Sequence, residues 1–241
     1  MRSRSLLCAL TVLLSASPAL AADANGVIEH ALGPYYAALV ASSRGNIDAT
    51  NRQLILFASR WASASREVRT TPPAEIGQDP EWPVAVDRVT TLIAEARAAA
   101  RRRDMSGAHA DLEEVRQVLR EVRERHQLAT FDDHLSDYHE AVERVAGHVV
   151  GRNEIRLTGR DFDDINEDLQ SALQAWRAAQ GLAGPIAASA TWKAAAAQAS
   201  AALAQMAKAL AAKDRTAIAH GADRLKTTYY DLLLAVSIAR G

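Results

Sequence analysis

The sequence predicts an all-α protein made of two tandem up-down four-helix bundle modules that arose by internal duplication. Three observations lead there. Strand signals are nearly absent, and after the first twenty or so residues the chain is dominated by Ala, Leu, Glu, Arg and Gln, all good helix formers. Prolines gather in connections: Pro72, Pro73, Pro80 and Pro83 in one, Pro185 in another. The tryptophans recur, since Trp82 precedes Asp104 by 22 residues and Trp192 precedes Asp214 by 22, an offset of 110.

The elements follow in order. Arg2 and Arg4 precede an apolar run over residues 6–14, and Ala19, Leu20 and Ala21 supply small residues at −3 and −1 of a cleavage site. Residues 1–21 therefore read as a secretory signal peptide cut before Ala22, because the apolar run is too short to span a bilayer. The expected location is the periplasm, with no membrane span in the mature chain. The single cysteine, Cys8, falls inside that signal, so the mature chain has no disulfide, no thiolate ligand and no CxxCH haem attachment. Losing Arg2 and Arg4 moves the formal net charge from −1 to about −3. Charges of both signs alternate and no basic face carries interleaved aromatics, which argues against nucleic-acid binding.

Helices are expected over residues 25–43, 47–67, 82–103 and 106–127, then 132–150, 162–180, 188–212 and 215–238. The first four form a module over 22–129 and the second four a module over 130–241. Short turns join the pairs, with Asn46, Asp104 and Asp214 as N-caps. Within the 110-residue offset Arg103 matches Lys213, Val115 matches Leu225, Arg116 matches Lys226, Leu119 matches Tyr229 and Val122 matches Leu232. Residues 54–61 and 169–176 repeat a Leu-to-Trp spacing at an offset of 115. In the fourth helix Ala108, Leu112, Val115, Leu119 and Val122 alternate spacings of three and four, the mark of an apolar seam, and Leu135, Tyr138, Val142, Val145 and Val149 do the same in the fifth.

Chemistry concentrates in residues 108–145, which hold four of the seven histidines. Zinc, copper and iron favour imidazole and carboxylate ligands, and residues four apart share a helix face. His109/Glu113 and His139/Glu143 have that spacing, and each His stands three residues before a seam residue, Leu112 or Val142. At 100° per residue each His lies at the seam's edge and each Glu further toward solvent. In an antiparallel hairpin Glu113 and Glu143 are level, at ~20 and ~17 Å from its tip, whereas His109 and His139 lie ~26 and ~10 Å out. His109, Glu113, His139 and Glu143 are thus the candidate ligands of a divalent transition metal, copper, zinc or iron, two or three of them binding directly. A second cluster, His126, Asp132, Asp133 and His134, lies within ~5 Å of the tip along the axis. It also reads simply as an N-cap by Asp132 or Asp133 and a His at a helix C-terminus. His30, His148 and His220 read as isolated surface or packing residues.

The architecture resembles the four-helix bundles of cytochrome b562 and cytochrome c′. The motifs part company: CxxCH is missing, and Met105 and Met206, the methionines left after processing, lie outside a first helix, so no haem is expected. The His-x-x-Leu-Glu-x-Val-Arg helix (His109, Leu112, Glu113, Val115, Arg116) and the Tyr-His-x-x-x-Glu helix (Tyr138, His139, Glu143) resemble a group of uncharacterised bacterial periplasmic helical-bundle proteins. That resemblance implies an exported, metal-related helical module and names no reaction. The second half departs from it, with Ala219 and Asp223 at the positions of His109 and Glu113.

There is no Gly-rich phosphate loop, no GxSxG and no HExxH, so an enzyme is not expected. The sequence leaves two readings: a periplasmic metal-binding or metal-handling protein, and a metal-free helical interaction or scaffold protein with a periplasmic partner.

Overall fold

The computed structural model describes residues 24–149 and 157–241, and the described residues form helices without strands. The signal-peptide and cleavage-site expectations for residues 1–21 lie outside them. In chain order come α1 (Ala24–Ala31), α2 (Gly33–Ser43), α3 (Ile47–Thr70), α4 (Trp82–Arg101), α5 (Met105–Arg125), α6 (Phe131–Gly147), α7 (Gly159–Gly181), α8 (Ala190–Ala211) and α9 (Arg215–Ala239). A short 3₁₀ turn, Gly184–Ala188, precedes α8. No described helix is long and apolar enough to cross a membrane.

The expected single helix over 25–43 is two. Pro34 occupies the first turn of α2, where its fixed φ and missing N–H are tolerated; inside one long helix it would remove a hydrogen bond and clash with the preceding turn. α2 then buries almost its whole circumference, Tyr35, Tyr36, Leu39 and Val40 among it, as a helix apolar all round must. The cap of α6 also differs from expectation. Thr130, not Asp132 or Asp133, is the N-cap, and Asp133 closes a capping box by accepting from the Thr130 backbone N–H (2.9 Å).

Asn46, Asp104 and Asp214 cap as expected, accepting from the backbone N–H of Ala49, Gly107 and Ala217. Each cap directly follows a residue in the left-handed region: Gly45 (φ 65°), Arg103 (φ 64°) and Lys213 (φ 51°). The preceding helix closes identically at all three, the left-handed residue bonding three back and the cap five back, as in Asp104 N–H to Ala99 O and Asp214 N–H to Ala209 O, both 3.0 Å. Gly45 takes this conformation freely, but Arg103 and Lys213 carry a Cβ against it. Arg103→Gly and Lys213→Gly should therefore each stabilise the fold by about 0.5–1 kcal/mol, a gain of roughly 1–4 °C in thermal melts. Glycine's extra unfolded-state entropy limits the gain; a loss of stability would refute the reading.

Consecutive helices from α2 to α5 pack against one another, and α2 also meets α5. From α6 to α9 the same pattern of neighbours recurs, with α6 meeting α9. α2 packs against α9 as well, joining the two sets. The tryptophans anchor matching places. Trp61 donates from its indole to Thr90 Oγ (3.0 Å), and Trp176 to Ser200 Oγ (2.9 Å), with Thr90 and Ser200 again 110 apart.

Candidate functional site

α5 carries two parallel stripes. Ala108, Leu112, Val115, Leu119 and Val122 are buried among the helices from α2 to α5. One position on, at the same spacing, run His109, Glu113, Arg116, Arg120 and Arg123, all half-buried. This polar stripe faces α6 across a gap that the backbones do not close; long side chains bridge it instead. Arg123 binds Asp133, and Arg120 reaches both Asp137 (2.8 Å) and Glu140 (3.7 Å), which fixes the antiparallel register expected for this pair.

His109 meets the end of α2. Ser42 spends its hydroxyl hydrogen on Leu39 O (2.9 Å), so the 3.0 Å contact between Ser42 Oγ and His109 Nδ1 requires the imidazole to donate. In the neutral ring Nδ1 then holds the hydrogen and Nε2 the lone pair. Nε2 faces Glu113 Oε1 at 3.7 Å, while Glu113 Oε2 is held from the other side by Arg116. Two lone-pair donors thus confront each other, each fixed from behind, an arrangement that accepts a proton or a metal ion between them. Glu113 is not the more exposed member, as helix geometry suggested: its side chain is 25% accessible against 31% for His109, because Arg116 draws it inward.

The other two candidates turn elsewhere. His139 stacks on Tyr229 (4.2 Å between ring centres, 13°). Glu143 pairs with Lys226 of α9 at 3.1 Å. Among the described residues no three His, Cys, Asp or Glu side chains stand close enough to share a metal as placed. The hairpin-tip cluster is dispersed: His126 binds Asp79 (2.9 Å), Asp132 binds Arg240, Asp133 binds Arg123 and His134 faces Asp137. His148 is not isolated, since it shares Asp168 with Arg144 (3.0 and 2.6 Å).

Spacing did not single out Ser42, Tyr35, Arg116 or Tyr229 as site residues. Arg116 Nε and Nη1, Tyr35 Oη and His139 Nδ1 are buried without a hydrogen-bond partner, at the place where α2, α5, α6 and α9 meet. Buried polar atoms left unpaired are uncommon in folded proteins and cost about 1–3 kcal/mol each. Burial lifts the Tyr35 and Tyr229 hydroxyls far above the usual phenol range.

His139 is held near the opposite limit. Burial, reinforced by the positive charges of Arg116, His109 and Lys226, lowers its pKa to about 3. The folded chain refuses a proton that the unfolded chain accepts near the ordinary value of 6.5. Stability from this residue is therefore complete above about pH 6.5 and is lost progressively as pH falls toward 3. Urea midpoints measured from pH 7 to pH 4 should fall less steeply for His139→Phe, which keeps the stack on Tyr229, than for wild type. Equal slopes would show that His139 does not drive the loss.

Comparison with known proteins gives no match: no family model, no curated protein and no solved structure aligns with the chain.

Proposed function

We propose that this chain is an exported, non-catalytic protein of two tandem modules, residues 22–129 and 130–241, each built on four helices (α2–α5 and α6–α9) with α1 added to the first, and that it holds a divalent transition metal where the modules meet. The observation carrying the metal reading is the His109 Nε2–Glu113 Oε1 pair, 3.7 Å apart, with Ser42 orienting the imidazole and Arg116 the carboxylate. Metal-binding histidines and carboxylates are typically oriented by such outer partners. His139, neutral at physiological pH and with its Nδ1 unpaired, is the third donor of this reading, and the unpaired groups of Arg116 and Tyr35 suit a water or anion completing the coordination. Glu143, committed to Lys226, is the weakest of the four candidates. Duplication is supported by the matching caps, left-handed residues and tryptophan hydrogen bonds at offsets of 110 and 115. Export rests on the signal in residues 1–21.

Titrating copper, zinc and iron(II) at neutral pH should show one site per chain. Binding should be abolished in His109→Ala/His139→Ala, weakened roughly 10-fold in Ser42→Ala and preserved in Glu143→Ala. Unchanged binding in the double variant would overturn the site.

A metal-free interaction protein is the second reading, favoured by Ile55 and Leu56, neighbours on α3 that are 57% and 48% exposed. Elemental analysis of protein purified from its own periplasm separates the two.

A further inference from the structure

We propose that the cleft between α1, the 71–81 connection and the link from α5 to α6 is a separate binding site for a small apolar amine. The cleft encloses about 410 Å³, within the range of small-molecule sites. Its floor is apolar: Ile28, Leu32, Ile76, Trp82, Leu119 and Leu128.

The walls are fixed in advance. The Trp82 indole N–H donates to Val68 O (3.3 Å), which sets the plane of its ring. In the connection, Gly77 N–H bonds to Pro73 O (2.8 Å), and Asp79 takes both His126 (2.9 Å) and Arg125 (3.1 Å) from the end of α5. Gln127, in the left-handed region (φ 56°), turns the chain into the opposite wall. A preformed site of this kind binds without the entropic cost of ordering its own walls.

Charge selects the ligand class. Glu29, Glu75 and Asp132 line the cleft with one guanidinium, Arg123, and Asp133 holds that group by two hydrogen bonds. Arg240 lies behind and is shared between Asp132 and Glu29. Four carboxylates thus face two guanidinium groups. Glu75, exposed on the cleft wall, makes no ion pair among the described residues. A ligand with an apolar body over Trp82 and Leu119 and an ammonium group reaching Glu75 satisfies both features. The cleft is distinct from the proposed metal pair, because His109 lies ten residues along α5 from Leu119, ~15 Å by helical rise.

The test uses the full mature chain and two probes of matched body and opposite charge, phenethylamine and 3-phenylpropionate, at neutral pH. Nitrogen–proton spectra follow the Trp82 indole resonance, assigned with Trp82→Phe. Phenethylamine should shift it saturably and bind at least tenfold more tightly than 3-phenylpropionate. Glu75→Gln, at an exposed position, should cut that preference three- to tenfold, while His109→Ala should leave it unchanged. Equal binding of both probes would overturn the amine assignment, and no saturable shift would overturn the site. Loss of amine binding in His109→Ala would overturn its independence from the metal pair.

Discussion

Arg240→Ala is expected to lower the melting temperature by roughly 6–12 °C, corresponding to about 3 kcal/mol. The Arg240 side chain is only 5% accessible and lies over the rings of Tyr36 and Phe131. Its guanidinium meets Asp132 at 2.9 Å and Glu29 at 3.6 Å. Removing it strands the Asp132 carboxylate, 13% accessible, beside two aromatic rings, and an uncompensated buried charge costs far more than the intact pair contributes. Arg240→Met keeps the aliphatic packing but strands the same carboxylate, so most of the loss should remain. Adding Asp132→Asn to Arg240→Met should recover about half of it. A melting temperature for Arg240→Ala within 1 °C of wild type would show that this network is not holding the helix ends together.

Trp61→Ala and Trp176→Ala should each cost about 3–5 kcal/mol, the range for truncating a fully buried large aromatic. Both side chains are almost wholly buried, at 1% and 2% exposure, and each donates its indole hydrogen to a hydroxyl on the following helix. The two losses should agree within about 1 kcal/mol, because burial and the indole hydrogen bond match, although Trp61 packs on Phe57 and Trp176 on Tyr138 and Trp192. Thr90→Val and Ser200→Ala, which leave the indole N–H unpaired, should each cost about 1–3 kcal/mol. Chemical denaturation of the four variants measures this. A Trp176→Ala cost below 1 kcal/mol would break the equivalence.

Much of this fold was legible because helix periodicity and caps are local. The spacing of Leu112, Val115, Leu119 and Val122 marks the buried face of α5, and Asp104 and Asp214 mark where helices begin. Two local signals were present but misread: Pro34, which starts a new helix, and the Thr130-x-x-Asp133 box. The site was half legible. His109 and Glu113 do face one another, since one helix sets both positions. The partners of the four candidates are only partly local: Arg116 holds Glu113 from three residues away, but Lys226 reaches Glu143 from 83 and Ser42 reaches His109 from 67. The missed clue lay on α5 itself: His109, Glu113, Arg116, Arg120 and Arg123 keep the spacing of an apolar seam. A polar stripe in that register lies against a second partner rather than water.

α2 presents no face to solvent and rests on both α5 and α9. Such a helix ties its own half of the chain to the other. If residues 130–241 loosen, Tyr35, Tyr36 and Leu39 lose part of their cover; if α2 frays, α9 loses its neighbour. Melting should then be all-or-none, with the calorimetric and van't Hoff enthalpies in agreement, and two separate transitions would refute this. However the halves arose, the chain should then behave thermodynamically as one cooperative unit, and excising either half would uncover the surfaces of α2 and α9 that cover each other.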